Sequence, residues 1–139
     1  MYLLDTNVIS ELRKATGGKA DIRVTRWAIG ILPSSIFLSV MTILELELGT
    51  LRLQRRDPKQ SAALRSWVDN YILPTFGGRT FPVTTAIAQV GARLHVPDPR
   101  PERDALIAAT ALVHNMTVVT RNVADFAPMG VTVLNPWES

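Results

Sequence analysis

Cysteine is absent from the chain of 139 residues, which excludes disulfides and any thiolate zinc site. Histidine occurs only as His95 and His114, far apart and without the spacing of an HExxH pair, so both are expected to be structural or solvent-facing. No apolar run approaches the ~20 residues a membrane span needs, so no membrane association is expected. An acid at position 5 with no basic region before it is unlike a secretory signal. Charge is also scarce: 15 Lys and Arg stand against 12 Asp and Glu, giving +3 and a pI near 9.8. That mild bias is compatible with nucleic acid or an acidic partner, but it is no polybasic tail. No repeat, low-complexity segment or linker divides the sequence. Together with 47% hydrophobic residues, this predicts one globular domain over residues 1–139, in the cytoplasm.

What is present is an alternation of short β-rich runs with helical stretches. Tyr2-Leu3-Leu4 reads as a buried strand, followed by a short helix from Val8 to Arg13. Asp21 is placed to cap a helix from Ile22 to Ile31. Ile36 to Val40 reads as a second strand, and Thr42 is expected to cap a helix from Ile43 to about Arg55. Asp57-Pro58 marks a break and restart. Ser61 to Ile72 continues as a helix that Pro74 is expected to stop. Thr80 to Val83 reads as a strand kept near a sheet edge by Pro82. Helices follow from Thr84 to about His95 and from Glu102 to Asn115, separated by the stiff loop Pro97-Asp98-Pro99-Arg100-Pro101. Met116 to Thr120 and Val131 to Leu134 are the last strands, with at most one helical turn from Val123 to Phe126 between them. This order predicts an α/β fold: a central parallel sheet of four to five strands, flanked by helices in three layers.

Acids fall where such a fold puts ligand sites, beyond the carboxyl ends of strands. Asp5 ends the first strand, and a buried carboxylate there is costly unless something uses it. Glu45 shares a helix face with Met41, Leu48 and Gly49, whereas Glu47 points nearly the opposite way. Asp104 lies on the apolar stripe of Ile107, Ala108 and Ala111, while Glu102 and Arg103 point off it. Three converging acids repel: two charges ~4 Å apart cost roughly 4 kcal/mol at an effective dielectric of about 20. A hard divalent cation such as Mg²⁺ or Mn²⁺ relieves that cost. A plainer reading treats each acid as a helix terminus: Asp5 as a cap, Glu45 as part of a capping box, Asp104 as a charge favoured by the dipole.

The run Leu-Leu-Asp-Thr-Asn-Val-Ile-Ser-Glu resembles the opening of PIN-domain proteins, specifically VapC-type toxins of bacterial toxin–antitoxin pairs. Ser39 with Thr42-Ile43-Leu44-Glu45-Leu46 and Leu48-Gly49 is similar to their second motif. Asp104-Ala105-Leu106-Ile107-Ala108-Ala109-Thr110-Ala111 resembles the third, and Val119-Thr120-Arg121-Asn122 with Asp125-Phe126 the fourth. The ending Leu134-Asn135-Pro136-Trp137 is similar to the FitB-like branch. The resemblance implies an Mg²⁺- or Mn²⁺-dependent endoribonuclease, with Asp5, Glu45 and Asp104 as its acidic triad. It also implies a cognate VapB-like antitoxin, through which operator DNA is bound. At the fourth position, often an acid in the family, this chain has Asn122, an oxygen ligand without charge; Asp125 three residues on is placed to compensate. Thr6 and Thr120 are expected as donors behind the carboxylates.

Arg52, Arg55 and Arg56 leave the Glu45 helix as a basic cluster that either contacts the RNA backbone or is a solvated helix end. Leu44, Leu46, Leu48, Leu51 and Leu53 exceed what one helix face buries and point to a homodimer or antitoxin interface. Trp27, Trp67 and Trp137 are expected to pack. Two rival readings fit the sequence less well. A haloacid-dehalogenase-type phosphatase needs an acid where this chain has Asn7. A non-catalytic PIN-like module binding RNA or protein is expected to have lost one of the three acids.

Overall fold

Neighbouring residues in a strand point to opposite faces, and Leu3 and Leu4 use this to serve two cores. The structure is a computed structural model describing residues 1–138. In it, β1 (Tyr2–Leu4) sends fully buried Leu3 into a cluster with Ala105, Ala108, Val118 and Phe126. Leu4 enters a second cluster with Val8, Val24, Leu38, Ile72 and Val119 on the other face. Val118 and Val119 divide in the same way, so the sheet is covered on both sides. That accounts for strands reading as short continuous apolar runs.

From β1 the chain enters α1 (Thr6–Arg13) and α2 (Ile22–Ile29). It returns as β2 (Ile36–Ser39) and leaves again along α3 (Val40–Arg56) and α4 (Pro58–Trp67). A wider π turn over Val68–Ile72 joins α4 to the short α5 (Leu73–Phe76). Then come β3 (Thr80–Phe81), α6 (Thr85–Leu94), α7 (Glu102–His114), β4 (Thr117–Val119), α8 (Val123–Phe126) and β5 (Val133–Leu134). Among the described residues the five strands form one parallel sheet in the order β3-β2-β1-β4-β5. The expected three-layer α/β fold is therefore present, and β3, with Pro82 just beyond it, is an edge strand.

Several boundaries differ from expectation by a few residues, and two of the differences have a clear physical reason. Ser39, not Thr42, caps α3: its Oγ accepts the Met41 N–H at 3.0 Å, and the helix begins three residues early. Thr42 is buried in the first turn, where its hydroxyl lies 3.5 Å from the Leu4 carbonyl. Both residues carry cap chemistry, and the end of β2 decides between them. Pro74 does not stop the helical path. The π turn ahead of it, closed by the Leu73 N–H on the Val68 carbonyl, places Pro74 in the first turn of α5, where no N–H is needed. Asn115 ends α7 in the left-handed conformation, φ 54°, which asparagine tolerates better than most residues.

Candidate active site

The sheet's central strands β1 and β4 deliver the first two residues of the site. The Asp5 N–H donates to the Val119 carbonyl at 2.9 Å, locking the end of β1 to β4. The Asp5 carboxylate then turns back to cap α1: Oδ1 accepts the Thr6 N–H at 2.8 Å. Oδ2 accepts the Thr120 hydroxyl at 2.8 Å and the Asn7 amide at 3.3 Å. Asp5 thus caps α1 with one oxygen, while the other is held by Thr120 and Asn7 at the end of the sheet. The group is 4% exposed, and burial pushes its carboxyl above the ordinary range against the pull of its hydrogen bonds. The charges of Glu45 and Asp125 push it the same way.

Glu45 does not complete a capping box. Its Oε1 accepts the Thr6 hydroxyl at 2.7 Å, so Thr6 ties α1 to α3. Its Oε2 lies 3.8 Å from Arg103 Nε. Glu47, on the other face, forms a two-bond pair with Arg65 at 2.6 and 3.1 Å, and that guanidinium holds its carboxyl low. Asp104, in the first turn of α7 and half-buried, is pushed up to about 6, chiefly by burial and then by the charges of Asp5, Asp125 and Glu45. The structure therefore brings Asp5, Glu45, Asp104 and Asp125 into one negative field from β1, α3, α7 and α8.

Asn122 and Asp125 lie at the exposed rim. The Asn122 N–H donates to the Thr120 hydroxyl at 3.0 Å, and the Asp125 N–H to the Asn122 carbonyl at 3.1 Å, so α8 hangs from the same hydroxyl that holds Asp5. The Thr6 hydroxyl donates to Glu45 and the Thr120 hydroxyl to Asp5. Arg52, Arg55 and Arg56 are exposed and are not part of this cluster: a rise of 1.5 Å per residue puts them ~10–16 Å along α3 from Glu45. His95 accepts the Arg100 N–H at 3.0 Å and closes the proline loop, while His114 stacks on Phe81.

Two neighbours escaped the sequence reading. Asn7 bridges the elements: its amide donates to Asp5 and Thr120, and its Oδ1 accepts the Arg121 N–H at 3.2 Å. Its position two residues after the strand-end acid was the available signal. Arg103 lies off the apolar stripe of α7, yet leans toward Glu45.

The donor set fits a hard divalent cation, since it is made of carboxylate and amide oxygens and two of its acids, Asp5 and Asp104, are held partly against ionisation by neighbouring acids. As the side chains stand, no three acidic or imidazole groups among the described residues are drawn tightly enough to enclose one. Glu45 and Asp104 are only half-buried.

A parallel sheet with acids gathered at its carboxyl edge, in the order of the four motifs, is a PIN-type arrangement. The chain belongs to the PIN-domain family, whose profile matches residues 2–127. Among its relatives, the toxin FitB of Neisseria gonorrhoeae is 34% identical over 142 residues, covering 99% of both chains. The VapC ribonuclease Y4jK of Sinorhizobium fredii is 32% identical, again covering 99% of each. The crystal structure of FitAcB from Neisseria gonorrhoeae matches over 100% of both chains with 34% identity and a TM-score of 0.89.

Proposed function

We propose that this chain is a ribonuclease toxin that hydrolyses RNA phosphodiester bonds with Mg²⁺ or Mn²⁺ held by Asp5, Glu45 and Asp104. The observation that carries the reading is the convergence of these carboxylates, from three separate elements, at one end of the sheet, where Asp5 and Glu45 both raise the cost of ionising Asp104. Relatives named as a toxin and a VapC ribonuclease support it.

When bound, a divalent cation lowers the pKa of the attacking water and neutralises charge building on the phosphodiester. The chain's residues do the holding and aiming. Asp5 is fixed by the Thr6 N–H, Thr120 and Asn7, and serves as the immobile ligand. Thr6 orients Glu45, and Asp104 completes the triad from the start of α7. Asn122 and Asp125 stand at the rim as further oxygen donors. Water is the nucleophile, and no side chain forms a covalent intermediate.

Protein purified free of any antitoxin is expected to cleave RNA with Mg²⁺ or Mn²⁺ and to stop in EDTA. Failure on every RNA tried overturns the reading and leaves the non-catalytic module. Thr120→Val is expected to weaken Mn²⁺ binding about tenfold by freeing the Asp5 carboxylate. Titration calorimetry reads this directly, and an unchanged affinity means the hydroxyl serves packing alone.

The reading includes a VapB-like antitoxin that carries the pair onto operator DNA, in line with the solved FitAB complex bound to a DNA fragment. An apolar groove lined by Leu12, Ile29, Trp67, Tyr71 and Ile72, with Arg13 and Arg79 beside them, offers a protein partner a face to cover. Leu44 and Leu51, exposed on α3, suit a homodimer. Light scattering is expected to give twice the 15.3 kDa chain mass, and a strictly monomeric mass counts against it. No helix among the described residues is long and apolar enough to cross a membrane, in keeping with a cytoplasmic site of action.

A further inference from the structure

An RNA phosphate approaching this site meets carboxylates, and the chain must offer it a cation close to the acids. Arg52, Arg55 and Arg56 stand a Debye length or more away along α3, ~10–16 Å from Glu45. Arg121 has its guanidinium laid over the Trp137 ring, 5.1 Å from the centroid. Arg103 differs from both. Among the described residues it is the one cation lining the shallow pocket formed with Glu45, Pro101, Glu102 and Asp104. It precedes Asp104 in the first turn of α7, so the helix backbone fixes its distance from the triad.

Its partnership there is loose. Its one ion pair among the described residues is Nε to Glu45 Oε2 at 3.8 Å, too long for a hydrogen bond, and the side chain is 42% exposed. The guanidinium makes no hydrogen bond among the described residues, which leaves its N–H groups available to a ligand in this pocket. Compare Arg65, whose guanidinium is committed to Glu47 and Asp69 through three short bonds. An arginine fork is built for two-point contact with a phosphate.

Resting on the nuclease reading above, we propose that Arg103 is the side chain that grips the RNA phosphate at the acid cluster. In the free protein it leans on Glu45. With Glu45 holding a divalent cation, the weak pair would be broken and the guanidinium left for the substrate phosphate.

The test uses the full chain and a fluorescein-labelled single-stranded RNA of mixed sequence, with binding followed by anisotropy in Ca²⁺ and cleavage in Mg²⁺. Arg103→Ala is expected to weaken RNA binding about tenfold and to reduce the slope of log K against log salt by about 0.7, the single-strand share of one phosphate contact. Arg103→Lys is expected to restore the salt slope but only part of the affinity, because charge returns without the fork. Arg26→Ala, removing an equal charge from the exposed face of α2, is the control for net charge and is expected to shift neither quantity as far. Calorimetry with Mn²⁺ separates the alternative. If Arg103→Ala tightens Mn²⁺ while RNA binding and salt slope stay at wild-type values, Arg103 is only a counterion of Glu45 and the proposal is overturned. Unchanged values throughout overturn it equally. A wild type that neither binds nor cleaves RNA removes the nuclease reading itself, whereas an active wild type matched by its Arg103 variant removes this inference alone.

Discussion

Asp5→Asn is expected to reduce RNA cleavage by two to three orders of magnitude while leaving the fold as stable as before or more so. The activity loss follows from what the carboxylate supplies. A ligand that anchors a charge-neutralising cation contributes several kcal/mol at the transition state, and each ~1.4 kcal/mol is tenfold in rate. The stability side is the sharper half. Asparagine caps a helix as well as aspartate does, so the bond from the Thr6 N–H persists. Its NH₂ group then takes the place of Oδ2, where the Thr120 hydroxyl can rotate to accept from it, and only the long 3.3 Å bond from the Asn7 amide is lost. The change also removes a buried charge that burial and neighbouring acids already hold against ionisation. A residue retained for packing would show the reverse, with activity falling only as far as the folded fraction falls. Cleavage rates and urea midpoints on the same preparations distinguish the two. Glu47→Gln is the contrasting variant. It breaks the pair with Arg65 on the other face of α3 and is expected to cost stability without changing cleavage beyond a few-fold.

Asp5 was legible in the sequence because the relevant facts are contiguous: an apolar run, an acid at its end and a helix straight after. Glu45 and Asp104 were legible through helical periodicity, which places a side chain on a face whatever that face meets. The parallel order of strands followed from their alternation with helices. What escaped depends on distances between segments that no local pattern encodes. Asn7 was read against a phosphatase motif, yet its amide spans from Asp5 to Arg121. Arg103 was read as pointing off its stripe, which is true, but the space off that stripe is filled by Glu45 from another helix. Ser39 and Thr42 offer the same cap chemistry, and only the point where β2 leaves its pairing with β3 chooses Ser39. Pro74 is a helix breaker in isolation. The π turn before it, which the periodicity of Ser61 to Ile72 conceals, lets the chain pass through.

Mg²⁺ or Mn²⁺ is expected to stabilise the protein strongly at pH 7.5 and hardly at all at pH 5, and the metal-free protein is expected to lose stability between those values. The sign follows from the acids. Asp104 is raised to about 6 from 3.8, and Asp5 is raised as well, so the folded state holds protons that the unfolded chain has released. Below about pH 4 both states are protonated at these groups and the penalty is absent. As pH climbs toward and past 6 the folded protein must carry neighbouring charges, and the penalty becomes complete. After allowance for solvent screening at half-buried Asp104, its share between pH 5 and 7 is about 1 kcal/mol, and Asp5 adds in the same direction. Glu11 and Glu47, whose carboxyls are held low, act the opposite way only as pH falls through and below the ordinary carboxylate range. A cation at a hundred times its dissociation constant contributes about 2.7 kcal/mol, or roughly 9 °C in Tm for a chain of this length. At pH 5 protons compete for the same oxygens, and most of that gain disappears. Asp104→Asn is expected to reduce the pH dependence of the metal-free protein and to remove most of the metal-induced rise together, because the same carboxylate contributes to both. Thermal melts in EDTA and in Mn²⁺ at the two pH values read all four quantities without any nuclease assay. A metal-induced rise of equal size in Asp104→Asn would place the cation elsewhere and detach the acid cluster from metal binding.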